Sequence, residues 1–175
     1  MKAIGGRICH LILLLLLLLS AGCGYRVTNP QTGCLGSART VWVPFFTNES
    51  ISPTAQTVLR RAFYDELHAL RGLYPAESEA RADLVMKARL VTYAGTTVSY
   101  NSLDQAFFNS LALDVELEIA RAGELSPLWK GQLHGTHQYP SNSDLAKQRN
   151  AEEQAVEAVA RNIAHSFISA LEQSY

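Results

Sequence analysis

The sequence predicts an α+β fold: a two-layer sandwich in which a mainly antiparallel four-stranded sheet carries two helices on one face, in the order β-α-β-β-β-α. Three observations predict it. Leu111, Leu113, Val115, Leu117 and Ile119 alternate with Ala112, Asp114, Glu116 and Glu118, the period-two signature of a sheet covered on one side and wet on the other. Val58, Leu59, Ala62, Phe63, Leu67 and Leu70 recur at helical spacing. Val156, Val159, Ile163, Phe167 and Leu171 repeat that pattern near the C-terminus. Two amphipathic helices and a one-sided sheet bury their apolar faces on each other.

The elements follow in order. In residues 39–46, Val41, Val43 and Phe45 alternate with Thr40, Trp42 and Pro44, giving strand one, with Pro44 implying an edge or a bulge. Residues 47–50 read as a turn. Ser52 is placed to cap the first helix, with Pro53 at its first position, and Gly72 ends it. Residues 75–81 are a polar connection. Leu84, Met86, Ala88 and Leu90 share one face of a second strand that runs to about residue 98, and residues 99–102 form a turn. The alternating run is strand three, and residues 122–127 form a hairpin loop. Residues 128–139 make a fourth strand with Trp129, Leu133 and Tyr139 on one face. Residues 140–147 read as a polar turn. Asn150 with Glu153 resembles a capping box for the last helix.

The N-terminus reads as a lipoprotein signal peptide over residues 1–22. Lys2 and Arg7 form a basic start, and nine consecutive Leu/Ile residues from Leu11 to Leu19 form an apolar core. That core is within the roughly 7–15 residues of a signal h-region and short of the roughly 20 needed to span a bilayer. Ser20, Ala21 and Gly22 are small enough for a peptidase cleft. Cys23 follows, where its thiolate would take a diacylglycerol. Ser20 stands where such signals commonly carry Leu. Gly24, in place of an Asp, permits export to the outer membrane in bacteria that sort by that position. Residues 23–38 are then a lipidated tether and residues 39–175 a single domain.

Removing Lys2 and Arg7 takes the formal net charge from −1 to −3, with nothing to suggest a nucleic-acid binder. Cys9 leaves with the signal and Cys23 carries lipid, so Cys34 has no partner within the chain and stability rests on packing.

No catalytic set is legible, and no metal or cofactor is expected. His134 and His137 stand three apart in a strand and point to opposite faces, while His68 and His165 lie on different helices without further ligands around them. The chain has no Gly-x-Ser-x-Gly elbow, phosphate loop or Gly-x-Gly-x-x-Gly fingerprint. Asp114, Glu116 and Glu118 suit a solvated or docking face better than a calcium site. Tyr93, Tyr100, Phe107 and Phe108 gather around the turn before strand three. They either pack beneath it or form a tip that meets a partner or acyl chains. Lys147 and Arg149 precede the last helix, as a solvated pair or as donors to phosphate.

Taken together, these residues resemble the LPS-assembly lipoprotein family (LptE-type). The resemblance lies in Cys23-Gly24-Tyr25-Arg26, in Val41-Trp42-Val43-Pro44-Phe45-Phe46-Thr47-Asn48, in the helix with Leu59 and Leu67, and in Ala82-Asp83-Leu84-Val85. Tyr93, Ser99, Tyr100 and the alternating third strand add to it. The resemblance implies a non-enzymatic outer-membrane protein on the periplasmic face. Its partners would be a large β-barrel (LptD-type), whose lumen it plugs and whose assembly it supports, lipopolysaccharide, and the membrane through its lipid. Some members carry a basic residue in a Leu-Ala-Lys stretch, here Leu145-Ala146-Lys147, so Lys147 with its neighbour Arg149 is the implied lipopolysaccharide contact. A second basic position of the family falls at Ser99-Tyr100-Asn101-Ser102, where this chain has no Lys or Arg. The alternative is a lipoprotein binding module of another periplasmic lipid-transport or secretion complex.

Overall fold

The alternating run becomes the middle of a long antiparallel meander. The computed structural model describes residues 35–50, 52–100, 102–103 and 106–173. Cys23, Cys34 and Asn101 lie outside them. The described elements are β1 (Thr40–Trp42), β2 (Thr47–Asn48), α1 (Ala55–Arg71), β3 (Tyr74–Pro75), a 3-10 turn (Glu79–Arg81), β4 (Leu84–Tyr100), β5 (Ala106–Arg121), β6 (Trp129–Pro140) and α2 (Leu145–Gln173). The strand order is β3-β1-β4-β5-β6, with β2 also on β4. The three long strands pair antiparallel, while β1, β2 and β3 join in parallel. The α+β sandwich therefore stands, with two more short strands than the sequence suggests.

The first strand is broken where proline dictates. β1 pairs with β4 at Val41 and Trp42, and pairing resumes only at Thr47 and Asn48, opposite Arg89 and Leu90. Pro44 has no N–H to give to a ladder. Helix α1 satisfies the interruption instead. The Val43 N–H donates to Tyr64 Oη at 3.0 Å, and Arg60 Nε donates to the Val43 carbonyl at 2.7 Å. The break also shifts the alternation, so Phe46 enters the core while Phe45 stays outside beneath the Arg60 guanidinium. Residues 47–48, expected as a turn, are strand. Ser52 does not cap α1: Thr54 holds that position without a side-chain bond, and the Ser52 carbonyl accepts from Asn48 Nδ2. Gly72, at φ 64°, closes the helix with its N–H on the His68 carbonyl. Leu70, expected in the apolar stripe, is exposed.

The core lies between the helices and the inner face of the meander. Leu111, Leu113, Val115, Leu117 and Ile119 are all buried, as the alternation requires. On β4, Leu84, Met86 and Leu90 point inward until a register shift between Leu90 and Thr92 brings Tyr93 to that face. Phe63 joins the layers, 5.8 Å from Phe46 and 5.7 Å from Phe167, whose ring also meets Trp129 at 5.2 Å. Two glycines make room on β6. A Cβ on Gly131 would strike the Trp129 indole at 2.8 Å, and one on Gly135 would stand 2.7 Å from Ile163 Cγ1 on α2.

Helix α2 begins at Leu145 and not near Asn150. Asp144 is its cap: its Oδ1 accepts from the N–H groups of Ala146 at 2.9 Å and Lys147 at 3.3 Å. The Gln148 side chain reaches back to the Asn142 N–H at 2.7 Å.

Candidate functional site

The meander sets up two poles. At one, the chain preceding the domain joins the sheet, and Asp83 holds the junction. Asp83 Oδ2 accepts from the N–H groups of Arg39 and Thr40 and from Thr40 Oγ1, all within 2.9 Å, while the Asp83 N–H donates back to Thr40 Oγ1. These backbone and hydroxyl donors hold its carboxyl below the ordinary aspartate range. At the other pole, β4 turns into β5 and α2 begins. Seventeen residues of β4 separate the two, about 55 Å at roughly 3.3 Å per residue.

Lys147 and Arg149 sit at this second pole, both exposed, inside the first turns of α2 and not in a loop before it. Residues two apart on a helix diverge by about 200°, so the two cations do not form one grip. Arg149 shares a face with Leu145, four residues earlier. Lys147 lies by the cap and its Asp144 carboxylate. Asp144 takes the Ala146 and Lys147 N–H groups, so what the helix start adds to these cations is the positive end of its dipole, which favours negative charge.

The pole also carries exposed apolar side chains. Val98, Tyr100, Leu103, Phe107 and Leu145 are all exposed. Ser141 ties the start of α2 to β5 by donating its N–H to the Phe107 carbonyl at 3.0 Å. The Phe107 ring meets Phe108 edge-on at 4.8 Å. The aromatic residues named from the sequence therefore divide. Tyr93 packs beneath, donating to Glu152 of α2, and burial and then that carboxylate raise its phenol above the ordinary range. Tyr100 and Phe107 project outward.

The outer face of the sheet is not an acidic surface. Cross-strand pairing flanks each acid with a base. Glu118 stands between Lys87 and Lys130, with Lys130 Nζ at 3.3 Å. Glu116 pairs with Arg89, which also binds Glu49 at 2.9 Å. Asp114 meets His134 Nδ1 at 2.8 Å. The two carboxylates raise the Arg89 guanidinium further, keeping it charged. A single-strand reading shows the acids but not the bases that register brings beside them.

Among the described residues, no helix is long and apolar enough to cross a membrane, and no group of three or more His, Cys, Asp or Glu could hold a metal. His134 and His137 do lie on opposite faces of β6. Asp144 is a site residue that the sequence reading missed, while Asp83 and Leu145 entered it only as members of the resemblance motifs, with no role of their own. Asp144 was signalled by the Gln four residues later.

A model of the LptE family, described as lipopolysaccharide-assembly, matches residues 38–171, more than half of the chain. The chain belongs to the LptE family. The family is one of non-enzymatic lipoproteins serving lipopolysaccharide assembly, and the match runs from just before β1 to the last turn of α2. No curated protein sequence matches the chain.

Solved structures share the fold of this LptE-family domain at low identity. A lipoprotein structure from Caulobacter crescentus CB15 aligns with a TM-score of 0.57 at 13% identity, covering 82% of this chain and 93% of that one. Rare lipoprotein B from Shewanella oneidensis aligns at 0.51 and 14%, covering 78% and 96%. A PelC dodecamer from Paraburkholderia phytofirmans aligns at 0.50 and 15%, covering 77% and 89%. Differently named proteins share this architecture, so the family match and not the fold carries the assignment to lipopolysaccharide assembly.

Proposed function

We propose that this chain is an outer-membrane lipoprotein, attached through lipid on Cys23. In this reading it supports assembly of the lipopolysaccharide-translocon β-barrel, plugs its lumen and contacts lipopolysaccharide at the pole carrying Lys147. The match to the LptE family across residues 38–171 is the observation that carries the reading.

Physical features support it. A barrel lumen is wet and polar. The outer sheet face meets it with interleaved rows of both signs, Lys87–Glu118–Lys130 and Glu49–Arg89–Glu116. Such a face stays hydrated and can exchange its internal ion pairs for contacts with a lumen of either sign. The exposed Lys147 ammonium, at the positive end of the α2 dipole, suits a phosphate group. The reading does not route chemistry through the protein. It holds, positions and fills, and no residue is asked to transfer a proton or a bond.

The test is a mild-detergent pull-down from native outer membranes through a tag after Tyr175, with partners identified by mass. Recovery of one large β-barrel at about one-to-one supports the plug. Recovery of inner-membrane transporter subunits instead would place the protein in a different lipid-transport assembly. Cys23→Ala should abolish lipid attachment, and normal acylation of that variant would sink the anchor.

A further inference from the structure

We infer that Arg60, held by strand backbone and two aromatic rings on the flank of the domain, is a carboxylate-binding fork that takes an Asp or Glu side chain from the lumen wall of the partner barrel. The inference rests on the plug reading proposed above.

The guanidinium is fixed before any partner arrives. Its Nε donates to the Val43 carbonyl at 2.7 Å. Its Cζ lies 4.8 Å from the centre of the Phe45 ring and 5.2 Å from that of Tyr64. Tyr64 is itself held, its Oη accepting from the Val43 N–H at 3.0 Å. Bracing the strand break at Pro44 accounts for the Nε bond. It does not account for the terminal nitrogens, which form the planar, two-pronged donor rim that matches a carboxylate. Among the described residues those nitrogens have no acceptor, and they are open to solvent rather than buried.

The other fixed arginines spend their charge within the domain. Arg71 binds Glu172 at 2.7 Å, and Arg89 lies between Glu49 and Glu116. Arg60 has no carboxylate partner among the described residues. The acids of its own helix turn elsewhere, Asp65 to Arg61 and Glu66 to His165. Beside this unmatched cation the Phe45 ring is 74% exposed. A partner that brings an anion to Arg60 therefore also covers an aromatic ring, and drying the contact strengthens both the ion pair and the stacking.

One cation asks for one negative charge. Arg61, the next residue, lies about 100° further round the helix and lines the groove that Arg161 of α2 also lines. It does not join the fork, so a phosphate would be only half matched, whereas a single planar carboxylate is matched in charge and shape. Position names the source. The poles of the sandwich lie at the strand ends, and Arg60 lies between them, where the chain crosses from β1 to β2 beside α1. A plug turns such a flank to the barrel wall, whose inner surface is polar.

The test uses the mature lipidated protein in native outer membranes, tagged after Tyr175. A water-soluble carbodiimide activates carboxylates, and an amine in contact displaces the urea to leave an amide. Arginine does not react, so the parent is silent at position 60, and Arg60→Lys supplies the amine. Arg61→Lys, one residue along and turned to the groove, is the control. The expected result is an amide between position 60 and an Asp or Glu of the large β-barrel, mapped by mass, in at least about threefold higher yield than at position 61. Adding Phe45→Ala to Arg60→Lys should lower that yield, and an undiminished yield overturns the part given to the ring. Recovery of the barrel with no linkage at position 60, or with equal linkage at 60 and 61, overturns the fork and leaves the plug standing. Recovery of no barrel with the parent or either variant overturns both. Linkage of position 60 to a different protein overturns the lumen wall as the source. Arg60→Gln, checked by its melting temperature, should bind purified lipopolysaccharide as the parent does, and a fall in affinity by a folded variant overturns the carboxylate in favour of phosphate.

Discussion

Gly135 on β6 and Ile163 on α2 meet so closely that a methyl group on the glycine would lie 2.7 Å from Ile163 Cγ1 and 2.9 Å from Val159 Cγ1. The helix therefore rests on strand backbone at this point. Gly135→Val should force the long helix off the sheet, costing about 2–3 kcal/mol by overpacking. Urea unfolding checks it, and a midpoint unchanged from the parent would show that α2 tolerates the shift.

Val115, fully buried at the centre of β5, is the matching test of the inner face. Val115→Asp places an unpaired carboxylate among Leu90, Leu113 and Leu117 and should abolish cooperative folding near neutral pH, since an isolated buried charge costs several kcal/mol. A retained thermal transition in circular dichroism would contradict the burial.

Asp83 links acid stability to the junction with the preceding chain. Its folded carboxyl is held below the ordinary value near 3.9. Its contribution is therefore fully present above that value and is lost as pH falls through the lower folded one. Asp83→Asn should lower stability at pH 7 by about 1 kcal/mol, given an exposed charged acceptor. The variant's deficit relative to the parent should shrink below pH 4. Denaturant midpoints at pH 7 and pH 3 measure both.

Lys147→Glu separates binding from stability. A carboxylate in the first turn of α2 interacts better with the helix dipole than an ammonium does, by about 0.3–1 kcal/mol. The variant should melt at the same temperature or slightly higher while binding lipopolysaccharide more weakly. Undiminished affinity would leave Lys147 as a solvated cation.

Much of this architecture is legible in the chain, and the exceptions have physical causes. β5 announces itself because one face is wholly aliphatic. α1 and the body of α2 do so through their stripes. The start of α2 is missed because its first two turns bury nothing, so periodicity begins only near Ala151, and a chance Asn150 and Glu153 imitate a cap. β1 is read as one strand because alternation cannot show that Pro44 moves Phe46 inward in place of Phe45. The two-residue β3 exists through its parallel pairing with Thr40 and Val41, a long-range fact. The outer face reads as acidic because Glu116 and Glu118 adjoin in sequence, whereas Arg89 and Lys130 adjoin them only in register. Lys147 and Arg149 are neighbours in sequence and diverge on the helix.

The position of β6 carries a consequence for how such a protein is handled. It closes the sheet on one side with twelve residues in unbroken register on β5 and, among the described residues, no strand beyond. Every second N–H and carbonyl along that rim is offered outward, a template on which another extended chain could grow. Lys130, two glycines and the terminal Pro140 temper it without covering it. Solubility of the isolated domain should therefore fall with concentration faster than its melting temperature suggests. A compartment that holds one copy at a time would act as a quarantine as well as a workplace.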